Sequence, residues 1–444
     1  MSASHRTHAA PATANPGAHP APGEGGEYSF RSLPADLAAD DPRWKRLLDV
    51  FTSGFLEEKA DDKQLAGYLA GRAGSTITAV EPKTTGVFPP HYAAALVTQA
   101  SQVNAGARMI NCELINALVV RPMHKRQGLS RALLTRRLQE LHAAGVPLAA
   151  LSATDAQLYE RYGFGVATHC CGVEVDTRGL AMAPQVPLAP GTVEPCSPAD
   201  IAPYYQDITT AFAQAGQGRF LHRRQDKAWN LGISEGPEAA ADKAVRVLAY
   251  IDEAGTPAGF ASYKCVGSEG KKTIKLLQLC GIAPAIELRL WQELFNIELS
   301  NRLTWGGSYP GDLVPLALNN PRAWQQKSRT DSVWLRILDA PAALQARGYT
   351  TAGELVLDIS DPLHLVDNSY LLTVRDGHAD VSAAANHPAP RLKLSVGALS
   401  QLYFGAVTVM DLNAVGKVSG SPAALDTAQR LFAVATPAHN LAEF

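Results

Sequence analysis

This chain has no long apolar run. The apolar stretch around Ala117–Val120 falls far short of the roughly 20 residues that a membrane helix needs, so no membrane span is expected. Long basic runs are missing as well: 40 Lys and Arg stand against 42 Asp and Glu, for a formal net charge of −2. That balance argues against nucleic acid or an anionic membrane as the main partner. The six cysteines, at 112, 170, 171, 196, 265 and 280, include no C-x-x-C pair. They are read as reduced, mostly buried thiols. Together with the 12 histidines they offer no zinc-ligand spacing, so no metal is expected. A G-x-S-x-G elbow and a Walker loop are also absent. Residues 1–26, rich in Ala, Pro, Gly and His, lack the apolar core of a secretory signal. They are expected to form a tail without a core of its own, and the expected compartment is the cytoplasm.

What remains is ample. A length of 444 residues implies two to four domains, and 46% hydrophobic with 18% charged residues suits buried cores. Three ordered units are expected, over 27–178, 179–335 and 336–444. In the first, helical spacing covers Pro42–Leu56 (Trp44, Leu47, Leu48, Phe51, Phe55), and Lys63–Ala70 reads as a short helix. Ser75–Val80, Tyr92–Ser101, Glu113–Val120 and Leu148–Leu151 read as strands, Leu129–His142 as an amphipathic helix and Thr154–Tyr162 as a short helix closed by Gly163. The second unit begins after the Pro-rich stretch 183–195, with a helix over Pro203–Ala213 and a hairpin formed by Arg246–Asp252 and Gly259–Val266. It then repeats a strand, Lys275–Cys280, and a helix, Ile286–Leu299, which points to a weak internal duplication. The third is an α+β unit without a catalytic cluster.

The most informative stretch is 118–165. A strand enters the basic loop Arg121-Pro122-Met123-His124-Lys125-Arg126-Gln127-Gly128, the loop opens a helix, and the next strand leads to Tyr159. Backbone N–H groups at a helix N-terminus, aided by the helix dipole, bind phosphate. Gly128 permits close approach because it lacks a side chain. The residues alone allow either a diphosphate cradle or a plain basic turn, and Tyr159 could be a proton donor or a core residue.

The run Val120-Arg121-Pro122-Met123-His124-Lys125-Arg126-Gln127-Gly128-Leu129 resembles motif A of the GCN5-related N-acetyltransferases (GNAT). It is most similar to that of the enhanced intracellular survival (Eis) acetyltransferases. Ala150–Gly165, Trp334-Leu335-Arg336, Pro341–Leu344 with Arg347-Gly348-Tyr349, Leu402-Tyr403-Phe404-Gly405 and the terminal Glu443-Phe444 resemble the same family. Lys125, Gln127, Ser130 and Thr154-Asp155 depart from its pattern while keeping a donor or the charge class. The resemblance implies an α/β (α+β) architecture: tandem GNAT-like units, the second without cofactor binding, and a C-terminal sterol-carrier-protein-like α+β domain. Pro284 and Glu287, at the place where a phosphate would sit in the second unit, agree with that loss.

The resemblance further implies acetyl-CoA as cosubstrate. Leu118, Val119 and Val120 would contact the acetyl and pantetheine part. Arg126, Gln127, Gly128, Leu129, Ser130 and Arg131 would hold the pyrophosphate, with Thr154 and Asp155 lining the cofactor. It assigns Tyr159 as general acid, with Tyr162 as a nearby competitor, and the main-chain carboxylate of Phe444 as general base. A phenol with a reference pKa of about 10 is protonated at neutral pH; an α-carboxyl near 3.3–3.7 is a poor base unless buried or acting through water. The implied acceptor is an amine on an aminoglycoside-like molecule, a polyamine or a lysine side chain, and Phe55, Glu57 and Glu443 are candidates to meet it. A homo-oligomer, a hexamer by resemblance, is expected. A lipid-binding protein built on a non-catalytic scaffold is the alternative, and an acetyl-CoA sensor a third reading without a DNA-binding motif to support it.

Overall fold

The structure, a computed structural model, describes residues 27–34, 37, 40–58, 74–83, 90–233, 242–268, 272–298, 300–384 and 386–444. The tail 1–26, the helix expected over Lys63–Ala70 and most of the loop before Pro90 lie outside them.

Three sheets organise these residues. The first has the order β1 (Tyr28–Leu33), β2 (Ser75–Pro82), β3 (Ala94–Asn104), β4 (Met109–Val120), β5 (Leu148–Leu151), β14 (Trp334–Ile337), β6 (Gly165–Val166). Strands β1 to β4 form an antiparallel meander, and β4 runs parallel to β5. The helix Leu129–Ala143 closes one face by burying Leu129, Leu133, Leu134, Leu138 and Leu141. Pro42–Phe55 packs Trp44, Leu47, Val50 and Phe51 on the other, against Val97, Ala117 and Val119. Glu113, a buried acid in β4, accepts from the Thr98 hydroxyl at 2.5 Å and from Arg137 Nη2 at 2.6 Å. This pairing satisfies the carboxylate and pins the helix to the strand.

The second sheet has the order β13 (Trp324–Asp331), β7 (His169–Asp176), β12 (Arg302–Ser308), β11 (Thr273–Gly281), β10 (Pro257–Val266), β9 (Val245–Ile251), β8 (Thr192–Cys196). The expected hairpin is present as β9–β10. The helix expected over Pro203–Ala213 runs from Tyr205 to Gln214 instead. Pro203 falls in the turn after a short helix, Pro198–Ile201, that Ser197 and Asp200 cap reciprocally.

The sheets exchange strands. β7, which the sequence groups with 27–178, pairs between β12 and β13 in the second sheet, and β14, which straddles the expected boundary between the second and third units, pairs between β5 and β6 in the first. Short β14, buried along its whole length, gains two backbone partners by inserting there.

The third sheet has the order β17 (His378–Ala383), β16 (Asn368–Arg375), β15 (Gly353–Ser360), β18 (Arg391–Ser395), β19 (Val418–Gly420), covered by the helices Val396–Tyr403, Val409–Ala414 and Pro422–Phe432. Its interior is continuous with one face of the first sheet: Leu148, Ala150, Leu335, Leu355, Leu399, Tyr403 and Phe404 share one core. Two buried arginines hold this junction. Arg336 Nη2 donates to both Asp361 oxygens, at 2.6 and 2.7 Å, with both side chains fully buried. Burial pushes the Asp361 carboxyl up, but the charge and hydrogen bond of Arg336 and backbone N–H groups outweigh it and hold the carboxyl below its usual value. Arg347 donates to the carbonyls of Tyr403, Gly348, Leu431 and Phe432. Among the described residues no helix is long and apolar enough to cross a membrane.

Candidate active site

The parallel pair β4–β5 is joined only from Cys112 with Leu148 to Leu114 with Ala150. Beyond that the strands part, and β4 continues through Leu118, Val119 and Val120 into the eight residues 121–128. That loop is fastened at its base: Arg121 donates to the Tyr92 carbonyl at 2.8 Å and to Ser53 Oγ at 3.0 Å and pairs with Asp49. His124 bridges Tyr28 Oη at 3.0 Å and His91 Nε2 at 3.2 Å. The tip differs from its base. Lys125, Arg126, Gln127 and Gly128 are exposed, and Arg126 (φ 65°) and Gly128 (φ 75°) take left-handed backbone. Gly128 is the N-cap of Leu129–Ala143 and brings no side-chain cap. The first-turn amides of that helix, through Ser130 and Arg131, are therefore without the usual hydroxyl or carboxylate. Two left-handed residues around Gln127, an uncapped helix start and the basic side chains of Lys125, Arg126 and Arg131 supply the kind of donors and charge that bind an anion such as a diphosphate.

Tyr159 lies in the helix Ala156–Glu160, shorter than the expected Thr154–Tyr162. Asp155 caps it by accepting from Gln157 N at 3.1 Å, and Gly163 at φ 80° ends the following turn. Tyr159 is buried in one cluster with Leu129, Tyr162 and Phe164, against which Leu118 and Val120 pack. The end of β4, the first residue of the helix after the loop and the phenol thus share one core cluster. Burial raises the Tyr159 phenol above its ordinary value, opposed by a hydrogen bond with Thr154. Tyr162 is raised by burial too, against the charges of Arg131 and Arg161.

The other end of the chain is linked to the same strand through Arg223. Asn440 Oδ1 accepts from Phe220 N at 3.3 Å and from Ala442 N at 3.2 Å, and its Nδ2 donates to the Ala442 carbonyl at 2.7 Å. The Phe444 ring lies 5.1 Å from that of Phe220 and packs on the core that contains Cys112, Leu114, Leu148 and Ala150. Glu443 stands beside Arg223 and Asp226. Arg223 Nη1 donates to Asn116 Oδ1 on β4 at 3.0 Å, and its Nη2 pairs with Asp226 at 3.2 Å. Burial raises Asp226 to about 6 despite Arg223. Crowding by protein raises Glu443 as well, although its surface is open to water.

Phe55 and Glu57 are exposed at the end of Pro42–Phe55, where Leu56 turns left-handed and Glu57 N donates to the Thr52 carbonyl at 2.8 Å. Among the described residues no hydrogen bond, ion pair or ring contact joins either to Glu443 or Phe444. Sequence reasoning missed Asn116, Arg223 and Asp226, which sit far apart or in ordinary polar surroundings in the chain. It also missed Gly54, where a Cβ would fall 1.9 Å from Val119 Cγ1. Only glycine lets the helix end approach β4 this closely.

Comparison with known proteins bears on this arrangement. Residues 39–167 and 221–337 match models of the acetyltransferase (GNAT) domain, and 340–440 matches the sterol carrier protein domain. An N-acetyltransferase of Streptomyces griseus is 29% identical over 408 residues, covering 89% of this chain and 95% of that protein. N-acetyltransferase Eis of Mycobacterium tuberculosis is 28% identical over 311 residues, covering 68% and 73%. The chain carries two GNAT acetyltransferase domains and is similar to the Eis acetyltransferases. The crystal structure of Eis1 from Mycobacterium abscessus shares its fold, with a TM-score of 0.76 at 23% identity over 94% of this chain and all of that one. The three-part Eis-like architecture expected from sequence is therefore present: two GNAT domains and a sterol-carrier-like domain. The chain is an acetyl-CoA-dependent N-acetyltransferase, and its acceptor is an amine.

Proposed function

We propose that the first unit, 27–178, transfers acetyl from acetyl-CoA to an amine by direct attack, with Tyr159 as general acid and the α-carboxylate of Phe444 as general base. Bound acetyl-CoA supplies the thioester. The amine nitrogen bonds to the carbonyl carbon and the carbon–sulfur bond breaks. The proton lost by the amine goes to the Phe444 carboxylate, directly or through one water, and the departing thiolate takes the phenolic proton of Tyr159. The amides of 127–131, with Arg126 and Arg131, hold the diphosphate, and Leu118–Val120 align the acyl group along β4. The elevated pKa of Tyr159 keeps the phenol protonated at neutral pH, ready to donate.

The observation that carries this reading is convergence on β4. Leu118 and Val120 pack in the cluster of Tyr159, and Asn116, two residues earlier, receives the Arg223 that faces Glu443. Glu443 and Asp226 add the negative charge that a cationic acceptor needs. Polyamines, aminoglycoside-like molecules and lysine side chains share that chemistry, and a panel of such amines assayed by free-thiol release separates them. Appending a few residues after Phe444 tests the base: turnover should be abolished with acetyl-CoA affinity unchanged, and full turnover in that protein removes the assignment. Assembly as a homo-oligomer, a hexamer by resemblance, belongs to the same proposal and is read by light scattering.

A further inference from the structure

The second sheet opens as the first does. β11 and β12 are parallel and joined only at Ile274 with Leu303 and Lys275 with Thr304, after which they part. In the first unit the equivalent opening is where the proposed function places acetyl-CoA. In the second it holds the chain's own C-terminal segment. His439 is buried there. Its Nε2 donates to the Gly307 carbonyl on β12 at 3.0 Å, and its ring stacks on Tyr309 at 4.0 Å and 15°. The edges of Phe212 and Trp305 close the sides, at 5.8 and 6.4 Å. Leu279 of β11, Trp305 of β12 and Glu287 of the following helix line a small cavity together with the imidazole.

The flanking residues are accommodated with equal care. Gly311, at φ 85°, makes room for Pro437: a Cβ there would meet its ring at 2.9 Å. Gly218, at φ 76°, does the same for Ala438, at 2.5 Å. Leu441 lies in the second unit's core, while Ala438 and Ala442 lie in the core shared by the first and third. The segment therefore runs along the seam between the units, with Pro437, His439 and Leu441 turned to the second and Ala438 and Ala442 to the core shared by the first and third, and Phe444 emerges beside Phe220.

We propose that the opened strand pair of the second unit is a socket for the C-terminal segment, and that His439 is the positioning residue that seats it so that Phe444 reaches the first unit. The inference rests on Phe444 acting as the base. It gives the second GNAT domain a function in catalysis that needs no coenzyme of its own: what lies between its parted strands is an imidazole and an aromatic stack. Burial keeps that imidazole neutral, its pKa lowered to about 3, which suits a ring that must lie among Phe212, Trp305 and Tyr309.

Carboxypeptidase A, which removes a C-terminal phenylalanine, reads the seating directly in the full-length protein. Wild type should release Phe444 slowly. His439→Ala should release it at least 10-fold faster and lose at least 10-fold in amine-dependent kcat, with KM for acetyl-CoA and Tm within a few degrees of wild type unchanged. His439→Gln keeps a donor for Gly307 without the stack, and should fall between the two in both readouts. Tyr309→Leu removes the stack from the socket side and serves should His439→Ala fail to fold. Release no faster than wild type in the folded variants overturns the socket. Fast release in which the trimmed enzyme keeps its full kcat leaves the socket standing and removes the carboxylate as base. In a chain lacking Phe444, His439→Ala should cost no further kcat; an additional loss there would mean that His439 acts otherwise than through the terminus.

Discussion

The two GNAT domains share a plan and differ at one loop. In each, a central strand parts from a parallel neighbour and turns into a helix over the sheet. Between β4 and its helix the first domain has eight residues, 121–128; between β11 and its helix the second has two, Ile282 and Ala283. The first helix starts at an uncapped glycine after a basic tip. The second starts with Pro284, which has no N–H, and four residues in carries Glu287, packed on Gly281 and hydrogen-bonded to its backbone. Burial raises Glu287 to about 7. One domain thus presents free amides to an anion from outside, and the other has its own acid at the same place and a histidine from its own tail between the strands. A duplicated fold keeps its strand order while the chemistry at the turn decides what each copy can hold.

The comparison can be broken most severely at Tyr159, which the second domain does not need. Tyr159→Phe should lower kcat/KM for the amine by roughly 10²–10⁴-fold, the usual worth of a general acid, with acetyl-CoA affinity little changed. Because burial raises this phenol, the wild-type rate should show no alkaline loss due to Tyr159 until above pH 10, and a pH–rate profile checks it. Giving the first domain the acid of the second is the next test. Ala132 holds the fourth helical position there, as Glu287 does in the second domain, and Ala132→Glu should weaken acetyl-CoA binding about 100-fold through charge repulsion, measured by calorimetry.

The reverse change sharpens the contrast through stability. Glu287 has a folded pKa of about 7, above its ordinary carboxylate value. The native state therefore holds a proton that the unfolded chain releases, so its contribution is full below the unfolded pKa and is lost as pH rises through 7. Glu287→Gln should remove that dependence, leaving the variant about 1 to 3 kcal/mol more stable than wild type above pH 7 and no better at binding acetyl-CoA. Denaturant titrations at pH 5 and 8 decide it. The smallest effect is expected of Gly128→Ala. A left-handed backbone costs a β-carbon about 1–2 kcal/mol, so acetyl-CoA should bind roughly 10-fold less tightly with no change in kcat at saturation.

The sequence was most legible where chemistry is local. Val120–Leu129 announces strand, loop and helix within ten residues. The limits of short elements were harder to read. Thr154–Tyr162 looks helical by spacing, but the Asp155 cap and Gly163 confine the helix to five residues. Least legible was what distant segments build together. Arg223 meets Asn116 across 107 residues, and His439 meets Gly307 across 132; neither pairing leaves a periodicity or a motif. The exchange of β7 and β14 is of the same kind, because the partner of each strand is chosen by which sheet buries its faces. The motif residues Arg336 and Arg347 stood out by resemblance, and in the fold they are buried side chains that hold Asp361 and the carbonyls of Tyr403, Gly348, Leu431 and Phe432 at the junction with the third sheet.

Calorimetric titration of the full-length protein with acetyl-CoA puts the central contrast to the most direct test. The account predicts one coenzyme per chain, with that site abolished or severely weakened by Ala132→Glu and untouched by Glu287→Gln. Two coenzymes per chain, or a single site indifferent to a negative charge at 132, would contradict it.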